Sequence, residues 1–288
     1  MINEKKYYKL IDSAFFLITG KDRVNFLQGL TSNDIKKVSK KKIIYSSILS
    51  PQGKFFFDFF IVDYEDSLLI ECCKNFKDEF IERLSIYKLQ SDINLEHKKD
   101  LKSYLIGKNN LEKNTKMNAD KVKYSHDPRF KEEILKVYCD EASFLRLKEN
   151  LNLTLLTEKE YEYLRIKNTI PNFEYDSDKA KSTLLELRFD ELNGIDWEKG
   201  CYMGQELTAR TKYRGTVKKK IFGLKIKGKV IDRNVYYKDK NIGEIKSSFN
   251  DYGIAILKIK EVDECMKVND KLSCKGANLT PFIPKWGI

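Results

Sequence analysis

The sequence predicts an α+β protein that ends in a small antiparallel β-barrel. Three observations predict it. Apolar runs of strand length crowd the N-terminal part and lead into a helix with one apolar face. A second, weaker set of strands and helices follows. After Lys218 the helical period gives way to short alternating runs. Helices laid on one face of an antiparallel sheet bury such surfaces, and a closed sheet buries the alternating runs.

The elements follow in order. "AFFLIT" is a strand, Gly20 a turn, and "KDRVNFLQGL" a helix whose Val24, Leu27 and Leu30 share a face, ended by "TSNDI". "IIYSSIL", the turn "SPQGK", "FFFDFFIVDY", the turn "EDS" and "LLIECC" form a meander of strands. "NFKDEFIERLSIYKL" then places Phe76, Phe80, Leu84 and Tyr87 on one helical face to cover that sheet. After Ser91 the second set opens with the strands "INLEH" and "KSYLIG". An irregular polar stretch containing "HDPRF", the strand "EEILKVYC" and helices at "EASFLRLKENL" and "EKEYEYLRIKN" complete it, the last ended by Pro171. From Lys218, "IFGLKIKG", "NVYYKDKNIGEI" and "YGIAILKI" read as barrel strands, with no helix among them. The expected domains are residues 1–216 and 217–288, with "KYRGTVKKK" as the passage between them.

Composition narrows the function classes. The 288 residues are 41% hydrophobic, with 17 Phe and 16 Tyr, which excludes a disordered chain. The six cysteines (Cys72, Cys73, Cys139, Cys201, Cys265, Cys274) form no C-x-x-C pair, and only His97 and His126 could join them. That argues against a zinc site, a disulfide framework or any stably bound metal. The formal charge of +11 suits an anionic partner, but the lysines are spread along the chain and no nucleic-acid-binding motif accompanies them. Direct nucleic-acid binding is therefore not expected. No run approaches the ~18 uncharged apolar residues that span a bilayer. The opening "MINEKKYYKL" has neither a secretory nor a transit pattern, so a cytoplasmic location and no membrane partner are expected.

One stretch, "WEKGCYMGQELTARTKYRG", carries chemistry. Gly200 and Gly204 permit a tight exposed loop around Cys201, and a helix can start at Gln205, supported by Glu206 and Arg210 at i,i+4. The partial positive charge of that helix N-terminus, with Lys199, Arg210, Lys212 and Arg214, would favour a thiolate. The residues alone leave two readings open, a reactive thiol and an inert buried one, because no histidine lies nearby in sequence to serve as a base.

"KGCYMGQE", Lys199 to Glu206, resembles the K-G-C-[YF]-x-G-Q-E signature of the YgfZ-type folate-binding proteins, relatives of the glycine-cleavage T-protein that act in iron–sulfur protein maturation. "ELRFDELNGIDW", "ARTKYRG", "ITGKDRVNFLQGLTSNDI" and the "SPQGK" turn before a phenylalanine-rich strand fit the same family, so the resemblance spans nearly the whole chain. It implies a T-protein-like three-lobed ring: two interleaved α+β lobes around a reduced folate, tetrahydrofolate or a derivative, and a C-terminal antiparallel β-barrel. It makes Cys201 the functional cysteine, with Lys199, Gln205 and Glu206 orienting its loop or meeting a partner. Glu206 could equally be only a helix-supporting charge.

The resemblance places an aromatic folate contact at Tyr161, with Arg165 one turn on, and an aspartate contact at Asp58. The plainer reading has Tyr161 packing and Arg165 pairing with Glu162 or Glu158. Where the T-protein has a glutamate and a glycine this chain has Lys167 and Thr169, and Phe57 replaces the first of its two adjacent aspartates. These departures argue against aminomethyl transfer, in which a carboxylate assists the folate nitrogen. The implied function is an accessory factor for assembly or repair of iron–sulfur clusters in client enzymes, including those that thiolate tRNA, with clients or cluster-assembly proteins as partners. The alternatives are a folate-dependent aminomethyltransferase and a basic tRNA-binding module.

Overall fold

The structure is a computed structural model that describes residues 2–108, 122–130 and 133–287. Along the chain run β1 (Lys6–Lys9), β2 (Ser13–Thr19), α1 (Arg23–Gln28), β3 (Ile44–Leu49), β4 (Phe55–Tyr64), β5 (Ser67–Cys73), α2 (Lys77–Lys88) and β6 (Asn94–His97). Next come β7 (Lys102–Gly107), β8 (Lys123–His126), β9 (Ile134–Cys139), α3 (Glu141–Asn150), β10 (Thr154–Leu155), α4 (Glu158–Lys167) and α5 (Gln205–Tyr213). The last part holds β11 (Lys219–Gly228), β12 (Asn234–Tyr237), β13 (Lys240–Phe249), β14 (Tyr252–Lys258), α6 (Ile259–Lys267), β15 (Leu272–Cys274) and β16 (Ala277–Phe282). By its internal contacts the chain divides into two units. One comprises residues 1–49, 56–157 and 192–203, the other residues 50–55, 158–191 and 204–288.

The first unit contains two five-stranded sheets, ordered β3-β4-β5-β2-β6 and β10-β1-β7-β9-β8. The continuous apolar runs of β2 and β5 fit strands covered on both faces. Phe80 and Leu84 of α2 join Ile18, Phe57, Phe59, Ile61 and Ile70 in one core. In the second sheet Tyr104 stacks on Phe144 of α3 with ring centroids 3.4 Å apart, above Ile106 and Val137.

Strand partners differ from expectation in two places. "INLEH" is β6, and it pairs with β2 at the edge of the first sheet rather than opening the second. The unforeseen β1 pairs antiparallel with β7 and parallel with β10, so the first strand of the chain lies in the second sheet. The two sheets are interleaved in sequence. Periodicity reports that a segment is a strand, but its partner is set by tertiary packing.

Between the sheets lies a buried polar network. Lys136 of β9 meets Glu71 of β5 at 2.8 Å. Ser13 and Ser103 each donate a hydroxyl to Glu71 at 2.6 Å, and Tyr138 donates at 2.8 Å. Burial alone would push the Glu71 carboxyl up; Lys136 and the hydroxyl donors outweigh it and hold Glu71 below the usual glutamate range. A buried charge with this many partners fixes how the two sheets register, because any other register strands it.

In the second unit β11, β14, β13, β12, β15 and β16 close into a barrel, with β11 paired on both sides to β14 and β16. Helical period does return after Lys218, contrary to expectation. α6 buries Val262 and Cys265 against the barrel core, and with Ile259 they form a threefold-spaced stripe that the alternating runs around it obscure.

Candidate functional site around Cys201

Within the first unit, residues 192–203 are anchored onto the segment that follows α1. Ser32 Oγ donates to Gly194 O at 2.6 Å, Asn33 Nδ2 to Asn193 O at 2.8 Å, and the backbone N–H of Met203 to Gly29 O at 2.9 Å. The strongest anchor is Lys199. Its ammonium donates to the carbonyls of Gln28 (2.9 Å), Thr31 and Asn33 (3.1 Å) and lies 4.8 Å from the centre of the Tyr202 ring. Burial lowers the Lys199 amine to about 8, opposed by the charges of Asp34 and Asp196. Tyr202 is buried, and Met203 packs on the first-sheet core.

Cys201 sits between these anchors and is exposed. Cys72, Cys139, Cys265 and Cys274 are buried. Burial pushes the Cys139 thiol up to about 12 and raises Cys72 further, so neither presents a thiolate near neutral pH. Among the described residues no group of three or more His, Cys, Asp and Glu side chains is placed to hold a metal ion.

The motif then passes into the second unit. Gly204 caps α5 with φ +77°, in the left-handed region that glycine favours, whereas Gly200 does not adopt a positive φ and has open space where a Cβ would stand. The "SPQGK" turn packs on this cap: a Cβ on Gly53 (φ +81°) would fall 2.7 Å from Gly204 O and 2.6 Å from Leu207 Cβ. Two stretches that carry the family resemblance therefore meet at the start of α5. Glu206 lies exposed in the first turn of that helix and Gln205 is half-buried.

Asp58 and the α4 residues lie in different units. Asp58 of β4 is partly exposed, and Tyr45 donates its hydroxyl to Asp58 Oδ2 at 2.8 Å. Burial raises the Asp58 carboxyl, only partly offset by the Tyr45 hydrogen bond and the Arg129 charge. Arg129, paired with buried Asp127 at 2.8 Å, lies 4.8 Å from the centre of the Phe60 ring. Tyr45, Asp127 and Arg129 complete this cluster unforeseen. The "HDPRF" stretch stood out as polar, yet nothing local ties it to a strand some 70 residues earlier.

On α4, Tyr161 is half-buried. Arg165 is buried and its guanidinium is engaged: it donates to both oxygens of Glu162 (2.8 and 2.6 Å), to Asp176 Oδ2 (2.7 Å) and to Ile170 O (2.8 Å). This geometry matches the plainer reading of Arg165 as an ion-pair partner of Glu162. Thr169 adopts φ +57°, a left-handed conformation costly for a β-branched residue, and its buried hydroxyl has no hydrogen-bond partner among the described residues.

Residues 218–287 match the family described as CAF17, C-terminal beta-barrel domain. The mitochondrial iron–sulfur cluster assembly factor IBA57 homologue of Mycosarcoma maydis is 29% identical over 221 residues, 72% of this chain and 54% of that protein. The IBA57 homologue of Neurospora crassa is 30% identical over 231 residues, 74% of this chain and 52% of that protein. The tRNA-modifying protein YgfZ of Buchnera aphidicola is 29% identical over 220 residues, 71% of this chain and 68% of that protein. This chain is a homologue of the YgfZ and IBA57 proteins. It spans about half the length of the two IBA57 relatives. The chain also shares the fold of the glycine cleavage system aminomethyltransferase T of Bartonella henselae, with a TM-score of 0.78, 11% identity and coverage of 98% of this chain and 86% of that one. Both IBA57 relatives are described as mitochondrial, a compartment other than the cytoplasm expected above. Among the described residues no helix is long and apolar enough to cross a membrane.

Proposed function

We propose that the YgfZ-type chain is a folate-binding accessory factor for assembly or repair of iron–sulfur clusters in client enzymes, acting through Cys201. The observation that carries this reading is the exposed thiol held between two anchors, half-buried Lys199 and buried Tyr202, inside the signature "KGCYMGQE". A thiol fixed in position yet open to solvent can ligate the iron of a cluster fragment handed over by a partner, releasing its proton as it binds, and pass the fragment on by ligand exchange. A single thiolate does not retain a cluster, which ordinarily takes four protein ligands. In this reading Lys199 positions the loop through its carbonyl bonds, while Gln205 and Glu206 face the partner from the start of α5. The relatives named as cluster assembly factors support the client class.

Tetrahydrofolate or a derivative is the proposed ligand, and Asp58 and Tyr161, which lie in different units, are each proposed separately as a contact. Two features fit it. A carboxyl raised by burial and partly exposed, as at Asp58, suits hydrogen bonding to the N–H groups of a pterin, and a half-buried aromatic such as Tyr161 suits its flat ring. Arg165 would support α4 rather than touch the ligand, because its donors are already engaged. When bound, the folate would supply a reduced pterin; the chain's part is to hold and orient it.

The test is the activity of iron–sulfur enzymes in cells that lack the natural protein. Expression of this chain should restore it, and failure at normal abundance would refute the reading. An assay with aminomethylated lipoyl carrier and tetrahydrofolate separates the rival: turnover would make the chain an aminomethyltransferase, and none is expected.

A further inference from the structure

A cavity of about 310 Å³ lies in the first unit, where the chain enters β2, α2 and β7. Its lining includes Lys9, Lys74, Lys77, Lys98, Lys99 and Lys102, and no aspartate or glutamate. The whole chain carries 54 Lys and Arg against 43 Asp and Glu, so an unselected lining with six lysines would bring about as many carboxylates. Three of the lysines have partners outside the lining: Lys9 with Glu141 at 2.8 Å, Lys77 with Asp78 at 2.9 Å and Lys98 with Glu96 at 3.3 Å. Lys74, Lys99 and Lys102 have no ion pair among the described residues. Three uncompensated positive charges thus share one concavity, whose walls concentrate their field.

The site is also built. Backbone hydrogen bonds tie its loops together: Lys74 N to Asp12 O at 2.8 Å, Leu10 N to Ser103 O at 3.0 Å, and Lys98 N to Phe15 O at 2.8 Å. Its floor includes buried Ala14, Phe15 and Leu101. Ser13, also in the lining, is held by its hydrogen bond to Glu71 in the buried network. The lysines therefore surround a fixed depression rather than a loose surface.

We propose that this cavity binds a small molecule through a pyrophosphate or similar multiply phosphorylated group. Lysine ammonium is a compact point charge suited to phosphate oxygens, and a multiply phosphorylated group carries several negative charges on one small framework, enough to meet all three uncompensated lysines at once. Its volume is at the small end of ligand sites, about 300–1,000 Å³, which fits a compact anion better than a folded polyanion.

The test is calorimetric titration of the full chain with inorganic pyrophosphate at constant ionic strength, beside the Lys74→Ala/Lys99→Ala/Lys102→Ala variant. Saturable 1:1 binding to the parent is expected, with at least tenfold weaker binding in the variant at an unchanged melting temperature. Amide NMR shifts on the parent should gather at residues 9–15, 74–77 and 97–102, which keeps the proposal testable if the variant folds poorly. Pyrophosphate binding no tighter than chloride would overturn it, as would shifts centred elsewhere. Triglutamate binding as tightly would replace phosphate recognition with carboxylate recognition. Structured RNA that bound through these lysines and was not displaced by pyrophosphate would make the patch a nucleic-acid surface instead.

Discussion

Lys199 and Arg165 are both long cations, one half-buried and one buried, beside residues of the expected site, and the structure uses them in opposite ways. Lys199 binds backbone carbonyls, and the residue two places on, Cys201, is left exposed. Arg165 binds side-chain carboxylates, Glu162 and Asp176, and its donors are taken up. A cation that satisfies carbonyls holds a loop without consuming the group beside it. One enclosed by carboxylates is itself the end of the network. The difference separates a residue that presents a functional group from one that only braces a helix.

The sharpest way to break this contrast is Arg165→Met. It leaves Asp176, whose side chain is fully buried, without its cation, and removing one partner of a buried pair costs about 3–5 kcal/mol. Thermal or urea unfolding should show that loss, with folate affinity per folded molecule unchanged. Weaker folate binding at unchanged stability would return Arg165 to the ligand site.

Tyr161→Ala should do the reverse. Stacking on a pterin is worth roughly 1–3 kcal/mol by analogy with aromatic–base contacts, so tetrahydrofolate affinity should fall with little change in stability. An unchanged affinity would remove Tyr161 from the site.

The contrast also explains what was legible in the sequence. "KGCYMGQE" and "SPQGK" are local, and both proved to sit at the start of α5. The barrel was readable from its alternating runs. The acceptors of Lys199 lie more than 160 residues earlier in sequence, and Asp176 lies 11 residues beyond Arg165 in an irregular segment; no periodicity carries such pairings. β6 was assigned to the wrong sheet for the same reason, since its stretch specifies a strand and not a neighbour, and β1, only four residues long, went unread. Thr169 was legible as a departure from the family's glycine, and the structure supplies its consequence, a left-handed threonine.

That departure gives a smaller prediction. Thr169→Gly relieves left-handed strain and removes a buried hydroxyl without a partner, which should raise stability by roughly 1 kcal/mol. A fall in melting temperature would mean that the threonine methyl packs better than its backbone is strained.

A further effect is on pH dependence. The Lys199 amine is lowered to about 8 in the folded chain from an ordinary 10.5, so between these values the unfolded chain binds more protons. Lys199 therefore costs stability below pH 8, and that cost fades as the pH rises toward 10.5. The parent should gain on Lys199→Met across this window in urea midpoints; a parent that gains nothing there would show that the carbonyl bonds hold the amine charged.

The central claim is that the exposed thiol of Cys201 is the working group, and Cys201→Ser tests it most directly through iron–sulfur enzyme activity in cells lacking the natural protein. The account predicts no restoration of that activity at normal abundance, with unfolding free energy within ~1 kcal/mol of the parent, as for an exposed substitution that opens no cavity. Full restoration by the serine variant would contradict it.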